Sequence, residues 1–230
     1  MVEKDKLVSI IMSVYNDEDN IESSIKSILS QTYTNFEFLI VDDYSNDNTY
    51  RILKAYEALD DRIKIYKNNI NIGLTKSLNF LIDQSRGDFI ARQDSDDISF
   101  KTRLEEELKF IIDKDLDACS SRALIKGTSK VTPKLSYYMP VSIVLRYKNP
   151  IIHGSLVIKK DVIEAIGNYN DDFKYSQDYE LVTRLIRKNF RIKINKKILY
   201  ELNMKDNISN KFKIEQAKYA NLVKEKYKNA

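Results

Sequence analysis

Cysteine occurs once in this chain of 230 residues, at Cys119, and histidine once, at His153. One thiol excludes an intramolecular disulfide and a cysteine-rich zinc centre, and one imidazole leaves oxygen as the main ligand for any metal. Glycine is scarce at five residues, and neither a G-x-G-x-x-G fingerprint nor a phosphate-loop pattern occurs. NAD enzymes, P-loop ATPases and nucleotidyltransferases with a glycine-rich first loop are therefore not expected. No apolar run reaches the ~18 residues of a membrane span. The opening Met1-Val2-Glu3-Lys4-Asp5-Lys6 is charged and has no apolar signal core, so the cytosol is the expected location. Two stretches begin like calcium loops. Asp43-x-Ser45-x-Asp47 has Asn48 where glycine is needed and Lys54 at the closing position. The stretch from Asp94 puts Ile98 and Ser99 at the fifth ligand and the glycine, so neither is an EF-hand.

What is present suits a well-buried core: 43% of residues are hydrophobic and 31% charged, enough for one large domain or two small ones. The net charge of +4 is uneven. Residues 181–230 hold 14 Lys+Arg against 4 Asp+Glu, or +10, which leaves −6 for residues 1–180. A Lys-rich amphipathic helix is expected over residues 209–227. Such a tail suits an anionic membrane face, a polyanionic substrate or simply solvent. Nucleic acid is disfavoured, because the net positive charge resides in the last fifty residues of the chain.

The first 92 residues alternate in type. Leu7–Val14 is a nearly continuous apolar run, as a strand covered on both faces should be. Ile21, Ile25, Ile28 and Leu29 follow at helical spacing, then Phe36–Val41 as a strand. Ile52, Leu53 and Tyr56 mark a second helix, Arg62–Tyr66 a third strand, and Leu74, Leu78, Leu81 and Ile82 a third helix before the strand Asp88–Arg92. This pattern predicts a parallel α/β sheet with right-handed crossovers. Ligands of such sheets bind beyond the carboxyl ends of the strands, where Tyr15, Asn16, Asp42, Asp43, Asn71, Asp94 and Asp96 all fall. The second half is less regular. We expect a helix over Phe100–Asp113 with Leu104, Leu108, Ile111 and Ile112 inward, and strands from Asp117 and over Ile151–Ile158. Two further helices are expected, one capped by Asp161 and one opening at Gln177-Asp178.

Three carboxylates crowd Asp94-Ser95-Asp96-Asp97. In an extended segment Asp94 and Asp96 point the same way, and like charges so close repel unless a cation lies between them. A hard divalent ion with oxygen ligands is the simplest such cation, and it points to phosphate chemistry.

Taken in order, Ser13-Val14-Tyr15-Asn16, Val41-Asp42-Asp43, Asn71-Ile72-Gly73-Leu74, Arg92-Gln93-Asp94-Ser95-Asp96-Asp97 and Gln177-Asp178 resemble glycosyltransferase family 2, over roughly residues 6–200. The resemblance is to the inverting, bacterial surface-polysaccharide type. It implies the GT-A fold: a Rossmann-like, mostly parallel α/β sheet with helices on both faces and a small acceptor-side subdomain. It implies a nucleotide-binding set of Ser13, Tyr15, Asn16, Asp43, Asn71, Gly73, Arg92 and Asp94. Tyr15 would stack on the base, unless it is a core tyrosine. Asp43 would pair with the base edge, typically uracil, and Arg92 would offset donor charge or pair with Asp94 or Asp96. Asp96, with Asp94, would hold Mn2+ or Mg2+, while Asp97 fits a helix N-cap. Asp178 matches the general base. The usual local pattern there is Glu-Asp, so Gln177-Asp178 with Glu180 nearby leaves Glu180 as an alternative base. His153, Gly154, Gln177 and Glu180 would line the donor or acceptor pocket.

The expected activity is transfer of a hexosyl or N-acetylhexosaminyl group from a nucleotide sugar, UDP-linked by the resemblance, to a glycan or lipid-linked glycan hydroxyl. Residues 1–97 would bind the donor, 98–205 would hold the acceptor and base, and 206–230 would form the basic helix, in the cytoplasm or at the inner face of the plasma membrane. The alternative is a non-catalytic nucleotide- or glycan-binding module of the same fold, which would have no need of both a D-x-D and a separate base.

Overall fold

The computed structural model describes residues 6–205 and 212–227. The first half alternates strand and helix as expected: β1 (Val8–Val14), α1 (Ile21–Leu29), β2 (Phe36–Asp42), α2 (Thr49–Glu57), β3 (Ile63–Lys67), α3 (Leu74–Gln84) and β4 (Phe89–Arg92). These strands lie in the order β3-β2-β1-β4 and are all parallel. Beyond β4 the sheet continues through β5 (Ile98–Ser99), β6 (Ala118–Ile125), β7 (Val131–Thr132), β8 (Val157–Lys159) and β9 (Ile192–Leu202). β8 pairs antiparallel with β4 and β6, β9 runs parallel to β6, and β5 and β7 pair antiparallel at the margins. The remaining helices are α4 (Arg103–Asp113), α5 (Val141–Val144), α6 (Lys160–Ala165), α7 (Gln177–Arg187) and α8 (Lys213–Lys226).

The period-two geometry of a strand sorts the core into two layers. Val8, Ile10, Met12 and Val14 of β1 and Phe36, Phe38 and Ile40 of β2 pack on one face with Ile21, Ile25 and Ile28 of α1, Leu53 of α2 and Leu104, Leu108 and Ile111 of α4. Ile11, Leu39 and Val41 face the other way, onto α3, α6 and α7. Full burial of an Ile or Leu side chain contributes about 1.5–3 kcal/mol, so a sheet covered on both faces is held from two sides. Both layers draw on residues before and after position 97. Among the described residues no helix is long and apolar enough to cross a membrane.

Several local expectations change. Ile112 is 45% exposed rather than inward. The fourth helix starts at Arg103, because Ile98–Ser99 is drawn into the sheet against Tyr200 and Glu201 of β9. Asp97 is therefore no helix cap; it is buried, and its carboxylate accepts the Asn203 backbone N–H at 2.6 Å. Ile151–Ile158 is not one strand: a 3-10 turn at His153–Ser155 precedes the short β8. Asp161 lies in the first turn of α6, and Lys159 holds the cap position. The basic helix is described from Lys213, and residues 209–211 of the expected helix lie outside the described residues. Its Val223, Tyr219, Ala220 and Tyr227 pack into the layer that carries α7.

Candidate active site

The carboxyl ends of β1, β2 and β4 bring four loops together. Ser13 is the last but one residue of β1 and is partly exposed, while Tyr15 just beyond it is 48% exposed, so it is not a core tyrosine. Asn16 takes a left-handed φ of 49°, a conformation asparagine tolerates better than most residues. It ties two loops together: its backbone N–H donates to Ser45 Oγ, and its Oδ1 accepts the Asn46 N–H at 2.8 Å.

Asp43 is buried, and both of its oxygens are engaged. Oδ1 accepts from Ile72 N–H at 2.9 Å and Asn68 Nδ2 at 2.8 Å, and Oδ2 accepts from Gly73 N–H at 2.8 Å. Asn71 Nδ2 closes the same turn on the Asp43 carbonyl. In this arrangement Asp43 organises the 68–73 loop. Gly73 has φ 87°, a region that disfavours any side chain. Asp42 is a sheet-end residue, as expected, and accepts from Ser45 N–H.

The carboxylate cluster is held from beneath. Gln93 is fully buried and has no free donor: its two Nε2 hydrogens are shared among Ser24 Oγ and the Asp94 and Asp97 carbonyls, and its Oε1 accepts from Ser99 Oγ. Arg92 is 1% exposed. Its Nη2 meets Asp94 Oδ1 at 2.5 Å and its Nη1 donates to the Ile11 carbonyl, so of the alternatives Arg92 pairs with Asp94. Ser95 Oγ donates to Asp17 Oδ2, which couples the cluster to the β1 loop.

Asp96 accepts from no side-chain donor among the described residues. Burial, then Asp94 and Asp17, push its carboxyl up to about 7. Asp97 is raised as well, by burial and then by Asp94 and Asp96. Arg92 is the one cation in contact with this cluster among the described residues. The set is therefore under-neutralised and built of hard oxygen donors, which fits a divalent cation. No three His, Cys, Asp or Glu side chains converge as a preformed cage among the described residues.

A second carboxylate lies on a separate element. Asp178 opens α7, and its Oδ2 accepts from Asn149 Nδ2 at 2.8 Å. Burial raises its pKa above the ordinary 3.8, the Tyr179 backbone N–H and Asn149 oppose that, and the Asp94 charge adds to the rise. Tyr169 and His153 are in reach of both sites. Tyr169 is raised mainly by burial, and it feels both Asp178 and Asp94. Its hydroxyl shares a 2.7 Å hydrogen bond with His153 Nε2, which lies 3.4 Å from Arg92 Nε. Burial and the Arg92 charge hold His153 well below its usual value, so the imidazole is neutral at pH 7.

Gly154 sits against the cluster: a Cβ there would come within 2.4 Å of the Tyr200 hydroxyl and 2.7 Å of Asp94 Oδ2. Gln177 is buried at the start of α7. Glu180, the expected alternative base, lies two residues further along α7. It is fully buried and spent on Arg184, to which both its oxygens bond, and on the Tyr227 hydroxyl at 2.6 Å.

Several participants had no signal in the sequence. Asn149 precedes Pro150 in the stretch between α5 and the 3-10 turn at His153–Ser155. Arg103 donates one Nη1 to the carbonyls of both Arg92 and Gly154 from a site with no exposure. Tyr200 donates its hydroxyl toward Asp97 and accepts the Asp94 N–H at 3.2 Å.

Residues 9–167 match the sequence profile of Glycosyl transferase family 2. The chain belongs to that family. Its sequence is 32% identical over 212 residues to the Escherichia coli UDP-Glc:alpha-D-GlcNAc-diphosphoundecaprenol beta-1,3-glucosyltransferase WfgD, covering 91% of this chain and 82% of WfgD. The fold matches Staphylococcus aureus TarS residues 1–349 in complex with UDP-GlcNAc, with a TM-score of 0.80 and 20% identity over 97% of this chain and 67% of that one. It also matches the Pyrobaculum calidifontis mannosyltransferase PcManGT in complex with GDP-Man and Mn2+, with a TM-score of 0.78 and 20% identity over 97% of this chain and 64% of that one. Of a longer TarS chain it spans 40%. This family 2 glycosyltransferase has the GT-A fold, with the parallel half of the sheet and the helices on both faces expected of it.

Proposed function

We propose that this glycosyltransferase moves a hexosyl or N-acetylhexosaminyl group from a nucleotide sugar, UDP-linked by preference, to a hydroxyl of a glycan or lipid-linked glycan, inverting the anomeric centre. One observation carries the reading. The under-neutralised Asp94, Asp96 and Asp97 set lies at the end of β4, and the separate carboxyl of Asp178 at the start of α7 is near enough to feel the Asp94 charge. The first set suits a cation and a leaving diphosphate, and the second suits a base. The UDP-GlcNAc bound to TarS and the UDP-Glc in the name of WfgD support a UDP-linked donor, and the Mn2+ of PcManGT supports a divalent metal. The diphosphoundecaprenol in the name of WfgD supports a lipid-linked acceptor.

In this reading Asp96, with Asp94, holds Mn2+ or Mg2+, which when bound supplies positive charge to the departing diphosphate. The chain's own residues do the rest. Arg92 and Gln93 fix where Asp94 points. Tyr15, half exposed beyond β1, offers its ring to a base, while Asp43 stiffens the loop beside it. Asp178 takes the acceptor proton as the new C–O bond forms on the face opposite the diphosphate. A positioned base of this kind contributes about 10²–10⁴ in rate. Burial helps, because a carboxyl raised above its ordinary range is a stronger base once ionised. Asn149 keeps that carboxylate turned to one side.

The test is a screen of nucleotide-sugar hydrolysis and transfer with Mn2+, run on wild type, Asp96→Ala and Asp178→Ala. Asp96→Ala should abolish metal-dependent use of the donor. Asp178→Ala should keep donor binding and stop transfer. Retention of transfer by Asp178→Ala would overturn its assignment as base.

A further inference from the structure

Residues 118–160 contain eight Lys and Arg and no Asp or Glu, an acid-free run in a chain that holds 34 acidic residues. The stretch also departs from the core pattern. Leu135 is 75% exposed, Tyr138 74% and Tyr147 76%, and Met139 and Ile143 are open to solvent too. These apolar side chains alternate with the exposed cations Lys130, Lys134, Arg146 and Lys148, none of which makes an ion pair among the described residues. An isolated exposed leucine needs no explanation, but several large apolar groups in one segment, flanked by unpaired cations, do. Cations that attract anionic headgroups, next to tyrosine, leucine and isoleucine that enter the headgroup boundary, are the chemistry of an interfacial segment.

We propose that residues 130–148 are the surface by which this protein rests on an anionic lipid bilayer. Charge complementarity selects the bilayer over a second copy of the chain, since two such positive faces repel. The segment is also fastened to the site. Asn149, which follows it directly, bonds Asp178, and the Tyr179 hydroxyl donates to the Leu145 carbonyl. A bilayer under this face therefore lies on the side of the Asp178 carboxylate, where a lipid-linked acceptor would reach it. That last step rests on the reading of Asp178 as base; the surface itself does not.

The test measures binding without activity. The full chain is floated with vesicles of phosphatidylglycerol and phosphatidylcholine, and with phosphatidylcholine alone. Wild type should float with the anionic vesicles, and salt should weaken it. The Lys134→Gln, Arg146→Gln, Lys148→Gln triple variant should lose about a hundredfold in partitioning at low salt, since each cation near the surface is worth roughly fivefold. A Leu135→Ser, Tyr138→Ser, Tyr147→Ser variant should lose about tenfold or more. A Lys218→Gln, Lys224→Gln variant of α8 should float like wild type. The chain has no tryptophan. Tyr138→Trp therefore gives a single reporter, whose emission should shift to the blue on anionic vesicles and be quenched by brominated lipid, whereas Leu59→Trp on the far loop should not respond. Wild type that fails to float, triple variants that float unchanged, or a Tyr138→Trp signal that ignores vesicles would each overturn the proposal. Loss in the α8 variant alone would move the contact to the C-terminal helix and overturn it equally. Whatever the outcome, transfer to a water-soluble acceptor tests Asp178 separately.

Discussion

Removing a carboxylate from the cluster should make the metal-free protein more stable at high pH. The unfolded Asp96 carboxyl ionises at its ordinary 3.8 and the folded one at about 7. Between those values the native state binds a proton that the unfolded chain has released, so this group favours folding at low pH. That contribution fades as pH rises and is fully lost above about 7. Asp96→Asn is neutral throughout and keeps the shape. From pH 5 to pH 8 the two proteins should therefore diverge by at most about 2.7 kcal/mol, at 1.36 kcal/mol per pKa unit. Solvent reaches part of the side chain and screens it, which brings the expected divergence to about 2 kcal/mol. The assay is urea denaturation in EDTA at a series of pH values, with the variant minus wild type plotted against pH. A flat difference, or wild type the more stable protein at pH 8, would refute the account of Asp96 as a buried, under-neutralised carboxylate. Mn2+ with UDP should shrink the gap, because a ligand that binds only the native wild type stabilises it by mass action.

Asn149→Ala removes a hydrogen bond that favours the ionised Asp178. The base should then ionise at still higher pH, and the acidic limb of the kcat profile should move upward while donor affinity holds; an unmoved limb would detach Asn149 from the base. Gly154→Ala puts a methyl group against Tyr200 and Asp94 Oδ2. Overpacking of this kind costs about 1–3 kcal/mol, and donor binding should weaken with it, measured by calorimetry with UDP and Mn2+. Ser176, just before Gln177, has a left-handed φ of 53° and is held by Gln216 of α8, whose Oε1 accepts both its N–H and its hydroxyl. Gln216→Ala should lower kcat more than KM, with Gln216→Glu restoring it; equal effects on stability and no effect on kcat would make the contact merely structural.

The first half of the fold was legible because it obeys one rule. Apolar runs with both faces buried, alternating with helical spacing, permit few arrangements, and the polar residues at the strand ends mark where a ligand sits. The second half was harder. Ile151–Ile158 has the composition of a strand, yet a 3-10 turn at His153–Ser155 breaks it so that Gly154 can lie against Asp94. Ile98–Ser99 reads as the approach to a helix, but pairing with a strand a hundred residues later captures it. Such contacts depend on partners far away in sequence, which local pattern does not reveal.

The same division runs through the site. The order of Tyr15, Asp43, the Asp94–Asp97 cluster and Asp178, with scarce glycine and a single histidine and cysteine, was enough to point to family 2 and an oxygen-bound cation. These are properties of residue type and spacing, and they survive without coordinates. Tertiary structure decided which carboxylates are available. It spends Glu180 on Arg184 and Tyr227, Asp43 on the backbone of residues 72 and 73, and Asp97 on Asn203. Among the described residues it leaves Asp96 without a side-chain donor and gives Asp178 a single side-chain donor, Asn149, beside the Tyr179 backbone N–H. Whether a carboxylate is free for chemistry depends on which donors the fold brings within about 3 Å of it, and those donors come from elements that only folding makes neighbours.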